Sequence, residues 1–150
     1  MVKAAGGVIV VASGLALGLM KRGELAARVN LLRRLRWEVG SLRSKIYSRS
    51  ESLEQAFGES KFFKSAAEAI ARGESASAAV MPLGEGIEGF ELFAAGLMAE
   101  TGEGQLQNID IFLDSLEGEI ARAQEELERR GRLYVGGGFL AGAALVIMLI

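Results

Sequence analysis

The stretch Gly84, Glu85, Gly86, Ile87, Glu88, Gly89 spells GxGxxG, the spacing with which a dinucleotide-binding turn brings its backbone against a pyrophosphate. Such a turn needs a strand before it and a backbone open to phosphate. Here Pro82 lies just upstream, and the carboxylates of Glu85 and Glu88 would repel the anion. The stretch reads better as a glycine turn between helices. No GxxxxGK[ST] motif occurs, which closes the P-loop route to nucleotide. The carboxylates Asp110, Asp114 and Glu117 recur at i, i+4 and i+7, a spacing that lines up oxygens for a hard cation. Cation sites of that kind usually draw ligands from a loop or from several elements, so the row reads as the wet side of an amphipathic helix. The chain has no histidine and no cysteine. Thiolate chemistry, disulfides, Ser-His and Cys-His nucleophile pairs and zinc sites of the usual N/S type are thereby excluded. The sequence is that of a non-enzymatic protein with no cofactor and no metal site.

The remaining chemistry is that of surfaces. The 150 residues suit one core of ordinary size, and 50% are hydrophobic against 24% charged. A mean hydropathy of +0.26 is high for a chain with that much charge, so the apolar residues must be concentrated. They are concentrated at both ends. Residues 4–20 are 17 positions without a charge, bounded by Lys3 and by Lys21 and Arg22; residues 133–150 are 18 more, preceded by Arg129, Arg130 and Arg132. Each run approaches the length that crosses a bilayer. Ala12, Ser13 and Gly14 would suit a cleavage site behind a signal segment, but the run continues past them into a basic flank, as an anchor does. The second run exceeds most buried core helices. Basic residues crowd the inner side of both runs: Lys21, Arg22, Arg28, Arg33, Arg34 and Arg36 after the first, and Arg122, Arg129, Arg130 and Arg132 before the second. The positive-inside rule then puts residues 21–132 in the cytoplasm between transmembrane helices at 1–20 and 133–150. Gly14 with Gly18, and Gly138 with Gly142, each form GxxxG, the spacing that lets helix backbones approach closely in lipid. They suit packing of the two spans on each other or, in a homo-oligomer, on spans of other copies.

Leu25, Leu32, Val39 and Ile46 recur every seven residues, with Leu35 and Leu42 at the complementary position. Leu106, Leu113, Ile120 and Leu127 do the same, with Ile109, Leu116 and Ala123. These are two long amphipathic helices whose seams should pair antiparallel. Shorter helices are predicted between them: one opened by a capping box at Ser48 and Glu51 and running through Phe57, then Phe62 to Arg72, Ser75 to Met81, and Ile87 to Glu100. No period-two alternation persists. The fold class is all-α, a cytoplasmic bundle of about six helices between two transmembrane helices. Charge is segregated: residues 21–64 hold 11 basic and 5 acidic side chains, and residues 65–128 hold 2 basic and 14 acidic. Either the two stretches face different partners, anionic lipid on one side and a basic protein on the other, or they are solvated exteriors. On the first reading, Glu85, Glu88, Glu91, Glu100 and Glu103 form the partner-binding face. A net charge of −2 gives no ground for nucleic acid. Trp37, the only tryptophan, lies off the main seam, at the core edge, at a partner contact or as an interfacial anchor.

This order of features resembles the stage III sporulation protein AB family of endospore-forming bacteria. Leu31, Leu32, Arg33, Arg34 and Leu35 carry the resemblance through Val39, Leu42, Ile46 and Tyr47; Leu53 with Ala56, Phe93 with Gly96, Gly102 and Gln105 continue it. Its most specific part is the closing run from Tyr134 to Ile150, with Gly136, Gly137 and Gly138 followed by Phe139 and Gly142. The resemblance implies a membrane component of the channel assembled between mother cell and forespore after engulfment, similar to the inner-membrane platform proteins of type II secretion and type IV pilus machines. It also implies a domain facing the mother-cell cytoplasm, with the other channel subunits as partners, among them the ATPase stage III sporulation protein AA. The alternative from another class is a membrane-tethered scaffold or receptor that binds one soluble basic protein.

Overall fold

A computed structural model describes residues 2–49, 53–98 and 102–149. Its six α-helices are α1 (Val2–Arg49), α2 (Leu53–Gly58), α3 (Lys64–Ala71), α4 (Ala76–Val80), α5 (Phe90–Gly96) and α6 (Gly102–Leu149), with a 3-10 turn at Met81–Gly84 between α4 and α5. No strand occurs among the described residues. The predicted separate elements at each end are fused: α1 and α6 are each 48 residues long, because no proline interrupts either apolar run where it meets its heptad helix. The only proline, Pro82, sits in the first turn of the 3-10 segment, where its missing N–H is no loss.

Several boundaries differ from the sequence expectation; among them, α5 ends at Gly96, with Leu97 and Met98 in a turn. Ser48 does not open a new helix; it lies inside α1, and the next helix begins at Leu53. α5 begins at Phe90, not Ile87, because Gly86 and Gly89 take φ of +78° and +77°, a left-handed conformation that a helix cannot contain. Ser75 caps α4 as its residue type suggests, accepting a hydrogen bond from the Ala78 N–H at 3.3 Å.

The chain divides into two compact units, residues 1–31 with 120–150, and residues 32–119. In the second, α2 packs on α3, α3 on α4, and α4 on α5 and the 3-10 turn. The core is aromatic at its centre. Phe93 stacks on Phe112 with ring centroids 4.5 Å apart and also meets Phe90 at 5.6 Å and Phe63 at 6.4 Å; Phe63 stacks on Phe57 at 4.9 Å. Leu32, Leu35, Val39 and Leu42 from α1, with Ile109 and Leu116 from α6, close around this cluster and are buried. Leu106 and Leu113, the other predicted seam positions of α6, are only half-buried, because Phe112 takes the inward place beside Ile109 and Leu116. Polar contacts pin the elements. Ser60 donates to the buried carboxylate of Glu38 at 2.6 Å and accepts from the Phe62 and Phe63 N–H groups, so α1 holds the turn that leads into α3. Lys45 pairs with Glu59 at 2.7 Å and ties α1 to the end of α2. Asn108 donates to the Phe93 carbonyl at 2.8 Å, beside the Leu97 N–H that donates to the same oxygen at 3.2 Å, and so ties α6 to α5.

The carboxylate row on α6 has a structural use that spacing alone does not show. Arg43 makes a two-pronged contact with Asp110, including a 3.1 Å hydrogen bond to Oδ2, and Arg36 pairs with Glu117. Hydrogen bonding to Arg43 holds the Asp110 carboxyl below its ordinary range, assisted by the guanidinium charge and opposed by partial desolvation. Two of the three carboxylates are thus braces from α6 to α1. Among the described residues no group of three or more His, Cys, Asp or Glu is placed to hold a metal ion.

In the other unit, Gly14 on α1 lies against Gly138 on α6, and Gly18 against Tyr134. Much of the rest is apolar and exposed, including Leu17, Leu19, Met20, Phe139, Leu140, Leu145 and Ile147. One described helix, Gly102–Met148, contains a stretch long and apolar enough to cross a membrane; only 11% of that stretch is buried inside the protein, unlike the core helix of a soluble domain. In the first apolar run, the side chains of residues 4–8 and of Val10 lie outside the described residues.

Phe93 and Leu92 are neighbours with opposite fates, 1% and 77% exposed. Phe93→Ala should cost about 3–5 kcal/mol through the cavity it leaves, whereas Leu92→Ala should change stability by no more than about 0.5 kcal/mol. Denaturant unfolding of the full chain in detergent micelles, followed by circular dichroism, checks both.

Candidate docking groove and glycine crossing

The GxGxxG stretch forms a rigid turn. Gly84 is buried with the Phe90 ring in the space a side chain would need, and the Ile87 N–H closes back on the Gly84 carbonyl at 3.0 Å. Gly86 and Gly89 then reverse the chain with positive φ, and the Phe93 N–H reaches the Gly89 carbonyl at 3.0 Å to start α5. Glycine is required here for close packing and for left-handed backbone. The same compactness leaves no strand to feed a nucleotide turn, since a 3-10 segment precedes it.

Between this turn and α5 runs a groove of about 700 Å³. Met81, Pro82, Ile87 and Leu92 supply its apolar lining, and Glu85, Glu88 and Glu91 line it as well. Three of the five glutamates singled out from sequence therefore meet at one feature, and all three are exposed. Glu103 does not join them; it is exposed in the first turn of α6. Glu100 lies outside the described residues. Sequence reasoning missed the apolar half of this feature. The signal for it was the run Met81, Pro82 and Leu83, which reads as helix end, together with Leu92, which reads as core.

The glycines at the other site behave unequally. A methyl group on Gly14 would sit 2.5 Å from the Gly138 carbonyl oxygen, and one on Gly18 would sit 2.5 Å from the Tyr134 carbonyl oxygen. Both contacts are with backbone, which cannot rotate aside. Gly142 is buried, with its backbone nitrogen 3.8 Å from the position a Gly14 side chain would take. Gly136 and Gly137 have open space around them. The two predicted GxxxG pairs thus lie at one crossing between α1 and α6 in which glycine meets glycine at residues 14 and 138, and glycine meets tyrosine backbone at residue 18. At the inner end, the Arg22 side chain lies across Gly131, whose added methyl would be 3.2 Å from its Cγ.

Comparison with known protein families finds a match over somewhat less than half of the chain. Residues 83–150 match the family model for stage III sporulation protein AB, a range that takes in most of the groove, α5 and all of α6. The match supports the assignment of the chain to that family, and with it a role in sporulation. The residues of α1 that carry the sequence resemblance, Leu31 to Tyr47, precede the matched range. No curated protein and no solved structure matches the chain.

Gly138→Ala should force the two backbones apart and cost roughly 1–3 kcal/mol, as overpacking does. Gly137→Ala, with open space around it, should be neutral or stabilising by about 0.5–1 kcal/mol, because alanine is the better helix former. Thermal unfolding of the two variants in the same detergent separates them; equal midpoints would show that the crossing is not tight.

Proposed function

We propose that the protein is a non-enzymatic platform subunit of a membrane complex needed for endospore formation, the channel between mother cell and forespore, built on the plan of type II secretion platforms. The observation that carries this reading is the family match over residues 83–150, which includes both the acidic groove and the exposed apolar end of α6. On this reading residues 1–20 and 133–150 both span the membrane, and residues 21–132 lie in the mother-cell cytoplasm. Ten basic side chains beside the inner ends of the apolar runs, against Lys3 outside them, support that orientation. Anionic lipid headgroups would meet those basic residues. The other channel subunits, including the ATPase stage III sporulation protein AA, would be its protein partners, and the groove with Glu85, Glu88 and Glu91 would dock one component of the assembly. Catalysis, cofactor and metal have no part in the proposal: its work is to hold other proteins in place.

Two measurements test it. Deleting the gene should arrest development after engulfment, whereas normal spore formation would favour a tethered scaffold with no role in the channel. In a chain with no native thiol, Ser13→Cys should resist a membrane-impermeant maleimide as a membrane-embedded position. Ser65→Cys, on the exposed side of α3, should react only after the cells are opened. Labelling of Ser65→Cys in intact cells would overturn the topology.

A further inference from the structure

Trp37 is the only tryptophan in the chain, and it is 69% exposed, while the core is filled by phenylalanine. It stands on α1 with Arg33 and Arg34 one turn earlier on the same helical face, both exposed. Arg36 and Arg43 are engaged by Glu117 and Asp110, whereas Arg33 and Arg34 make no ion pair among the described residues. A tryptophan flanked by arginines on a wet helical face is the composition of an interface anchor, the residue types in which binding energy concentrates. The groove between the 3-10 turn and α5 has the complementary character: an apolar lining with Met81, Ile87 and Leu92, and carboxylates at Glu85 and Glu91. Met81 and Leu92 are 42% and 77% exposed, so the lining is offered outward. Its backbone is already set by Gly84 beneath Phe90 and by the left-handed Gly86 and Gly89, which lowers the ordering cost of binding. Within one copy Trp37 stays exposed, so it does not fill the groove of its own chain.

We infer that the groove takes Trp37 of a second copy of this chain, with Arg33 and Arg34 of that copy against Glu85 and Glu91. The inference rests on the reading of the groove as a docking site and names its occupant. Donor face and acceptor groove are different surfaces, so the contact is head-to-tail: each copy that gives its Trp37 keeps its own groove open for the next. Repetition closes a ring if the rotation allows and otherwise extends a row, and either would give the platform more than one copy. Charge on the rim steers and selects, while burial of the indole supplies the larger share of affinity.

The lone tryptophan makes the test direct. Full-length protein in detergent micelles should show a blue shift of tryptophan emission as its concentration rises, in step with growth in sedimentation velocity. Trp37→Ala breaks the donor, and the pair Glu85→Lys with Glu91→Lys breaks the acceptor. Because all three positions are exposed, helicity should be unchanged. Each variant alone should associate roughly tenfold more weakly or worse. Mixed together they should form a dimer that grows no further, since one good donor and one good groove remain. In that mixture every emitting tryptophan belongs to the groove variant, and its emission should shift blue as the tryptophan-free partner is added. Raising salt from low to high should weaken both the wild-type association and the mixed dimer. Wild-type emission independent of concentration would overturn the inference, as would variants that associate like the wild type. Quenching of Trp37 by brominated lipid without self-association would assign the face to the membrane instead. Loss of another channel subunit from the groove variant, with no self-association of the parent, would keep the docking site and remove the second copy as its occupant.

Discussion

Phe93 stacked on Phe112 is the contact on which the domain of residues 32–119 depends. One side chain lies on a seven-residue helix too short to be stable alone, the other on a helix of 48 residues. Through Phe90 the same cluster holds the 3-10 turn, and through Phe63 and Phe57 it holds α2 and the entry to α3. Six of the seven phenylalanines belong to this one network, which fills the space between the long helices with few residues. Gly96 shows how closely it is fitted. A side chain there would collide with Asn108, the residue whose amide donates to the Phe93 carbonyl. Hydrophobic burial supplies the drive, and Asn108 adds a polar tie from α6 to α5.

The two long helices meet by different means in the two units. In residues 32–119 they are braced by Arg36 with Glu117 and Arg43 with Asp110, contacts exposed enough that each adds little energy but fixes register. In the unit of residues 1–31 and 120–150 no comparable charge is available within the apolar runs, and glycine serves in its place. Where Gly14 faces Gly138 the backbones approach until a single methyl group would not fit. That suits a lipid surrounding, where apolar side chains gain little from meeting one another and close van der Waals contact is what remains.

The chain has no histidine and no cysteine, and among the described residues no group of carboxylates is placed to hold a metal ion. Apart from the braces and the buried Glu38 and Glu119, charged residues stand on outward faces, among them Arg33 and Arg34 beside Trp37, and Glu85 and Glu91 beside the groove. The family match over residues 83–150 suggests a sporulation-related role, and the exposed apolar end of α6 is compatible with membrane association.

The helices, their rough lengths and the glycine spacing in the end runs were legible in the sequence, because seven-residue periodicity, absence of proline and uncharged length are local properties that the helix backbone reads directly. Leu32, Leu35, Val39 and Leu42 could be named as core for that reason. Local signals failed at Ser48 and at residues 87–90. Ser48 with Glu51 satisfies a capping pattern, yet the helix before it simply continues, and Ile87 reads as helical until two left-handed glycines exclude it. The carboxylates Asp110 and Glu117 looked like a solvated face, since nothing in their spacing reveals that α1 presents Arg43 and Arg36 at the matching height. The groove was half legible: its glutamates stood out as charge, but its apolar lining did not. Residues such as Met81 and Leu92 look like core in any sequence, and only the packing of Phe90 under Gly84, a contact six residues apart, turns them outward. Tertiary structure decided which apolar residues the interior could accept, because the aromatic cluster had filled it.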